Sequence, residues 1–333
     1  MSSDGSTRDM LRCPEAQDVR TGVLLPSADA KQHGYSTRAP RVVWAFTVGD
    51  AQHGGGHTSR YDLPAPIVAA AWRRLGYEPL VIVVAEDEQH AARLRSRNAD
   101  GIGAVVELRA MHVKVLVTVP AKGKSPGQTG QLVRMAAVVL DDLWDAEAVV
   151  VTDADMMPLS LPYFLQARPH KMTVFNYGIL PDQFAMCYLQ APASIWRDVL
   201  GFRGGQPLVS PSAAVEAIFA ETGEDGWGTD QIVITERIKQ WSGWPARSHT
   251  VDVPTWQHWR LDRMDVGPAG AFDERVEKWS SCEVPATDFH MPYLWHGDCH
   301  GAAHNATSRV MRRLFDSHDL ARLSGYLWRE MCA

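Results

Sequence analysis

The order of apolar and polar residues predicts where the folded part of the chain begins. Val42–Val48 is a continuous apolar, β-prone run, and a Gly-rich loop follows it. A run without polar alternation is typical of a strand that is buried on both faces of a sheet. We therefore expect the fold to start near Arg41 with this strand.

Predicted helices and strands then alternate as far as residue 152. Further strands are predicted at Leu80–Ala85, Ala104–Leu108 and Ala148–Thr152, and helices at Leu63–Leu75, Glu86–Arg97 and Gln128–Leu143. Prolines near the start and a glycine after the end support the first helix. The alternation predicts βαβ units, and therefore an α/β fold with a mainly parallel central sheet flanked by helices. In such folds ligands bind beyond the carboxyl ends of the strands.

The pattern changes after Pro158 and also differs before residue 41. Met172–Phe175 and Phe184–Leu189 are short β-like runs among turn-rich segments, so we expect a less regular C-terminal half. Residues 1–40 are rich in Ser, Asp, Arg, Gly and Pro and have no period, which predicts a disordered or loosely attached arm. The expected organisation is this arm and a single domain over residues 41–333.

Composition and charge narrow the function classes. The 333 residues are 45% hydrophobic and 22% charged, as in ordinary globular proteins. A net charge of -6 argues against nucleic acid as a partner, and no apolar run approaches the roughly 18 residues that span a bilayer. The chain starts without an apolar leader, and its five cysteines are scattered and odd in number. We therefore expect a cytoplasmic protein with reduced thiols.

Two carboxylates follow the predicted strand Ala148–Thr152. Asp153 and Asp155 are two residues apart and so share a face of an extended chain, which lets both reach one ion. Carboxylate oxygens suit Mg²⁺ and Mn²⁺, which bridge the phosphates of nucleotides. The pair indicates a metal-held diphosphate, and the alternative is that both side chains only accept hydrogen bonds from loop amides.

The segments around this pair resemble the GT-A nucleotide-sugar transferases, and glycosyltransferase family 8, the glycogenin-like group, in particular. The similarity covers about residues 42–300. Six segments agree in order and approximate spacing: Tyr61–Ala71, Gln131–Leu140, Asp153–Phe164, Phe184–Pro192, Thr229–Ile234 and Phe289–Pro292. The resemblance implies a GT-A-like domain with a nucleotide-binding half at 41–157 and an acceptor and sugar half at 158–333. It also implies a metal-dependent transferase that moves a sugar from a nucleotide diphosphate-sugar to an acceptor hydroxyl, with retention of configuration. A UDP-sugar is the first candidate donor, and the acceptor is a saccharide or a protein.

The resemblance further implies a metal site. Asp153, Asp155 and His290 would hold Mn²⁺ or Mg²⁺, and an imidazole ligand favours Mn²⁺. His296 and His300 are the other candidates for the third ligand. A closed zinc site built from the histidines and the cysteine of this region is a competing interpretation, although their spacing lacks the usual pairs.

The remaining roles are likewise implied by the resemblance. Tyr61 would cover the nucleotide base, and Arg134 would share the charge of the leaving diphosphate. Asp230 and Gln231 would lie beside the reacting sugar carbon, with Trp227 facing the acceptor. For Asp230 the alternative is that it only caps the helix that begins near Gln231.

Two other functions fit parts of the sequence. A phosphatase of the haloacid dehalogenase type also places D-x-D after a strand, but that strand normally opens its fold, whereas more than a hundred residues precede Asp153. A non-catalytic nucleotide-sugar-binding protein of the same fold would keep the site and lack turnover.

Overall fold

The computed structural model describes part of the chain in detail. The described residues are 39–48, 51–52, 58–59, 61–96, 103–223, 228–252, 259–263, 271–292, 294 and 300–332. Of the expected N-terminal arm, residues 1–38 lie outside these ranges, so the arm stays a prediction.

The strands build one large and two small sheets. In chain order they are β1 (Arg41–Thr47), β2 (Ala51–Gln52), β3 (Thr58–Ser59), β4 (Glu78–Val84), β5 (Lys114–Thr118), β6 (Val149–Thr152), β7 (Met156–Pro158), β8 (Met172–Tyr177), β9 (Tyr188–Ala191), β10 (Ser248–Asp252), β11 (Trp259–Asp262) and β12 (Ala286–His290). The seven-stranded sheet has the order β10-β8-β9-β6-β1-β4-β5. In it β9 runs antiparallel to β6 and β8, and the other neighbours are parallel. The expected α/β fold with a mainly parallel sheet is confirmed.

The helices cover both faces of this sheet. They are α1 (Ala65–Arg74), α2 (Glu88–Arg95), α3 (Gly103–Ala110), α4 (Pro126–Ala136), α5 (Leu161–Phe164), α6 (Ala193–Leu200), α7 (Pro211–Phe219), α8 (Thr229–Gln240), α9 (Ala271–Ser280), α10 (Ala302–Leu314) and α11 (Ser317–Cys332). One core packs α1, α3, α10 and α11 against the sheet, and the other packs α4, α6, α7 and α8. Successive side chains of β1 pack alternately into the two cores. Val42 and Trp44 lie in the first core and Val43 lies in the second. The prediction that β1 is buried on both faces is thus confirmed.

One predicted strand is wrong. Ala104–Leu108 lies in helix α3, where Ala104, Val105 and Leu108 are fully buried. Their spacing of one and four residues matches a helical face. A short apolar run does not by itself distinguish a strand from a buried helix, and the strand beside β4 is β5 instead.

The helix predicted over Gln128–Leu143 has different ends. It starts at Pro126, where the hydroxyl of Ser125 accepts a hydrogen bond from the Gln128 amide at 3.1 Å. It ends at Ala136 and two 3₁₀ turns follow, because the backbone at Leu140 turns extended and pairs with Leu208. The helix predicted over Glu86–Arg97 is likewise shorter, as α2 starts after its cap at Asp87.

The second half contains more regular structure than its pattern indicated. Helices α6 to α11 all lie in this half, whereas the run Phe184–Leu189 contributes only the start of β9. No helix in the described part of the chain is long and apolar enough to span a membrane.

The cysteines depart from the expectation of reduced thiols. Cys282 is disulfide-bonded, whereas Cys187 is a buried free thiol. A disulfide cannot be anticipated from scattered cysteines, because pairing depends on which residues the fold brings together.

Trp72 packs α1 against neighbouring aromatic rings in the core. Its replacement by Ala should lower the free energy of unfolding by about 3–5 kcal/mol. Its buried indole meets the rings of Tyr77, Phe164 and Tyr188 with centroids 4.9, 4.9 and 5.9 Å away. Urea titration measures the loss, and Trp328→Ala is the control because Trp328 is 51% exposed. Equal losses in the two variants would contradict this assignment.

Candidate functional site

The site is centred on the carboxyl end of β6. Asp153 follows this central strand directly and Asp155 lies just before β7. The side chain of Asp153 is 32% exposed, and that of Asp155 is 7% exposed. Both carboxylates therefore stand where a parallel sheet presents its ligand-binding edge.

Arg134 of α4 joins one of these carboxylates to a distant helix. Its Nη1 donates to Oδ1 of Asp153 and to the carbonyl of Thr152, and its Nη2 donates to Oδ2 of Asp230. Burial lowers the pKa of Arg134, but the charges of Asp153 and Asp230 outweigh it and raise the pKa above its ordinary value.

Asp230 and Gln231 lie in the first turn of α8. Gly228 precedes them with a left-handed φ of 93°, which allows the chain to enter the helix. Oδ1 of Asp230 accepts from the Gln231 amide at 2.8 Å, and Nε2 of Gln231 donates to Oε1 of Gln183 at 2.6 Å. Asp230 does not cap the helix, because the N-cap position is Gly228 and Asp230 lies inside the first turn, where its other oxygen is joined to Asp153 through Arg134.

A small three-stranded sheet, in the order β11-β12-β7, brings the other side of the site together. His290 pairs with Met156 on β7 and with Asp262 on β11. The amide of Met291 donates to the carbonyl of Asp155 at 2.9 Å. As a result, Nε2 of His290 lies 3.7 Å from Oδ2 of Asp155.

Two charged neighbours of this pair were not expected from the sequence. Nδ1 of His290 lies 2.8 Å from Oδ1 of Asp262. Nη1 of Arg263 donates to Oδ2 of Asp155 and to the carbonyl of Met291, both at 2.6 Å. Asp155 is thus enclosed by an imidazole and a guanidinium.

A buried ion pair supports Asp262 from the side away from His290. Nε of Arg260 lies 3.0 and 3.2 Å from the two oxygens of Asp288, and its Nη1 lies 3.5 Å from Oδ2 of Asp262. Asp288 is fully buried. The alternating charged residues of Arg-Leu-Asp in β11 and Asp-Phe-His in β12 are the sequence signal that could have indicated these partners.

Acidic groups outnumber basic ones among the described residues of the site, in two separate sets. Arg134 is shared by Asp153 and Asp230, whereas Arg260 and Arg263 face Asp155, Asp262 and Asp288, so each set has one carboxylate more than it has guanidiniums when His290 is neutral. Buried charge of one sign is costly unless it is compensated. A divalent cation would balance it, and oxygen and imidazole ligands suit Mn²⁺.

Protonation of His290 is the other way to reduce this surplus. Burial lowers the pKa of the imidazole, but the nearby carboxylate of Asp155 and the hydrogen bond to Asp262 outweigh burial and raise the pKa to about 9. Burial raises the pKa of Asp155, and the charges of Arg263 and His290 bring it below its ordinary value. A proton on His290 and a cation beside Asp155 would therefore each compensate the excess negative charge, and the two would compete.

The three expected ligands are not closed around one point. Among the described residues, the only group with three ligand atoms within 4.8 Å of one another is Asp316, His318 and Asp319. That group lies at the start of α11, where Oδ1 of Asp316 accepts from the Asp319 amide at 2.9 Å, an arrangement typical of a helix cap. Binding of one cation by all three residues would require at least one of these side chains to move.

The other sequence candidates have different positions. Tyr61 is partly buried in the turn before α1 and packs against the hydrophobic core. The ring of His300 contacts that of Trp328, with centroids 5.5 Å apart. Trp227 and His296 lie outside the described residues. Of the histidines proposed as the third ligand, His290 is thus the one that the structure places beside Asp155.

Comparisons with known proteins add little. No protein-family model matches the chain, and no curated protein matches it either. Among solved structures, the glycosyltransferase GlyE of Streptococcus pneumoniae has a TM-score of 0.39 at 10% identity, with 87% of this chain and 63% of that chain covered. The galactosyltransferase LgtC, in complex with donor and acceptor sugar analogs, has a TM-score of 0.40 at 14% identity, with 87% and 99% covered. Mouse xyloside xylosyltransferase 1 has a TM-score of 0.36 at 12% identity, with 75% and 97% covered. This chain spans less than two thirds of GlyE, and likenesses this weak carry no argument about function.

The metal-free protein should lose stability as the pH rises from about 6.5 to about 9. Because folding raises the pKa of His290 from 6.5 to about 9, its contribution is fully present below pH 6.5 and disappears as the pH passes 9. The loss is at most about 3 kcal/mol. Urea titrations in EDTA across this range measure it.

Two variants serve as controls for this profile. His290→Gln should flatten it, whereas His318→Gln, which changes a side chain that is 85% exposed, should leave it as in the wild type. A wild-type profile without this slope would contradict the assigned protonation.

Proposed function

We propose that the chain is a metal-dependent glycosyltransferase that moves a sugar from a nucleotide diphosphate-sugar to an acceptor hydroxyl. The observation that carries this proposal is that three carboxylates, of Asp155, Asp262 and Asp288, face two guanidiniums, of Arg260 and Arg263, around His290 near the carboxyl end of β6. A divalent cation and the diphosphate it bridges are the chemistry that suits such a surplus. The resemblance of six sequence segments to the nucleotide-sugar transferases supports the same conclusion.

Asp153, Asp155 and His290 are the proposed ligands. The contacts with Arg134 and Arg263 engage Oδ1 of Asp153 and Oδ2 of Asp155, and a carboxylate can serve a second partner through its other oxygen. A bound Mn²⁺ or Mg²⁺ would supply a Lewis acid for the departing diphosphate.

The chain's own residues would orient the reaction. Arg134 keeps Asp153 and Asp230 in fixed relation, so that the ligand side and the sugar side of the site move together. Gln231, oriented by Gln183, would lie beside the reacting carbon, and the sugar configuration would be retained. A UDP-sugar is the proposed donor, with Tyr61 over its base, and a saccharide or a protein is the proposed acceptor.

A non-catalytic binding protein is the second candidate, because both carboxylates of the D-x-D pair already have guanidinium partners. Hydrolysis and transfer assays with UDP-glucose and UDP-galactose, with Mn²⁺ and with EDTA, distinguish the two. Metal-dependent release of UDP supports the transferase. Donor binding without turnover supports the binding protein, and hydrolysis of a simple phosphate monoester supports the phosphatase.

We also propose a cytoplasmic location. The disulfide of Cys282 is an observation against it, because disulfides persist mainly in oxidising compartments. Thiol counting on protein isolated from its native cells with alkylation at lysis tests this point. Complete reduction at Cys282 would support the cytoplasm.

Asp155→Asn should abolish metal-dependent turnover and leave the fold intact. The change keeps the shape of the side chain and removes the charge that would hold the ion. Turnover with UDP-sugar at saturating Mn²⁺ measures the effect. Asp252→Asn, at an exposed position of β10, is the matched control and should retain wild-type turnover. Near wild-type activity of Asp155→Asn would remove this residue from the metal site.

Asp230→Asn should lower turnover by about 10²-fold or more, while the affinity for the donor changes by less than about tenfold. A group beside the reacting carbon acts mainly in the transition state, whereas the donor is held by its phosphates and base. Calorimetric titration of UDP-sugar beside a transfer assay separates the two quantities.

The matched control is Glu236→Gln, since Glu236 is exposed on the same helix. If Asp230→Asn loses stability and keeps its turnover per folded molecule, Asp230 acts only at the start of α8.

A further inference from the structure

His290 has a fixed orientation in the structure. A carboxylate only accepts hydrogen bonds, so the contact of 2.8 Å between Nδ1 of His290 and Oδ1 of Asp262 places a proton on Nδ1. The other ring nitrogen, Nε2, points to Asp155, whose Oδ2 lies 3.7 Å away. Once the imidazole is neutral, Nε2 is the nitrogen with a lone pair to offer.

The position of Asp262 is itself determined by the sheet. Asp262 and His290 are direct partners in the parallel pair β11–β12, so their side chains emerge on the same face at neighbouring points. Two residues earlier on each strand lie Arg260 and Asp288, whose side chains also meet, next to a register shift in this strand pair. Arg260 binds both oxygens of Asp288 and also faces Oδ2 of Asp262 at 3.5 Å.

This arrangement holds Asp262 at both of its oxygens. Asp288 is fully buried, and its side chain cannot lose Arg260 without leaving an uncompensated charge. Arg260 is consequently fixed, and Asp262 lies between it and the imidazole. The contacts run from Asp288 through Arg260 and Asp262 to His290. They hold the imidazole in place, and its Nε2 is a nitrogen that can bind a metal ion.

We propose that Asp262 is the positioning residue for His290, holding the imidazole so that Nε2 faces a divalent cation bound beside Asp155. This inference rests on the proposed function, because it takes His290 as a ligand. Carboxylates that accept from the outer nitrogen of a ligating histidine set its tautomer and raise its basicity, and their removal typically costs about 10- to 100-fold in metal affinity.

The experiment measures Mn²⁺ binding to the purified protein, without substrate, from the electron paramagnetic resonance signal of the free ion. The variants are Asp262→Ala, His290→Ala and the double variant, with Asp252→Ala as a matched control at an exposed strand position. Asp262→Ala should weaken Mn²⁺ binding by about 10- to 100-fold. Asp262→Asn should lose less, because its amide oxygen can still accept from Nδ1.

The double variant separates positioning from general structural damage. If Asp262 acts through His290, then Asp262→Ala should cause no further loss of affinity in the His290→Ala background. A loss of the same size in both backgrounds would overturn the inference. If Asp262→Ala fails to fold, Asp262→Asn with and without His290→Ala provides the same comparison.

The outcomes also distinguish this inference from the proposed function. Wild-type protein that binds no Mn²⁺ would overturn the metal-dependent function and the inference with it. Wild-type binding that is weakened by His290→Ala and unaffected by Asp262→Ala would leave the function standing and overturn the inference alone.

Discussion

The site depends on one buried guanidinium. Arg134 lies 19 positions before Asp153 and 96 before Asp230, and it donates to both carboxylates. Without it, two acidic side chains from different parts of the chain would face each other in a buried environment, and breaking a buried pair of this kind typically costs about 3–5 kcal/mol. The same contact joins the carboxyl end of β6 to the start of α8.

On the far side of Asp153 the constraint is an excess of negative charge. The sheet of β7, β11 and β12 brings Asp155, Asp262 and Asp288 together, and Arg260 and Arg263 compensate them only in part. A proton on His290, whose pKa is raised to about 9, would compensate the remainder. A divalent cation would displace that proton and share Asp155 with Arg263. The affinity for a cation should consequently depend on how firmly Asp262 and Arg260 hold His290.

The pattern of apolar residues predicted strands correctly where burial on both faces of the sheet determined it. The fully apolar runs of β1, β4 and β6 could be recognised because burial on both faces of a sheet leaves no polar position. The same reasoning misassigned Ala104–Leu108, since five residues are too few to separate a period of 2 from a period of 3.6. It also placed the end of α4 too late, because the pairing of Leu140 with Leu208 is a tertiary contact that ends the helix.

The sequence by itself determined the α/β class and the delivery of Asp153 and Asp155 at the end of a buried strand, because both follow from residues close together in the chain. Only the tertiary structure decided which groups surround these carboxylates. Arg263 reaches Asp155 across 108 positions, and Asp262 reaches His290 across 28. These contacts depend on the register of β7, β11 and β12, and register is set by the packing of whole strands, which no short stretch of sequence encodes.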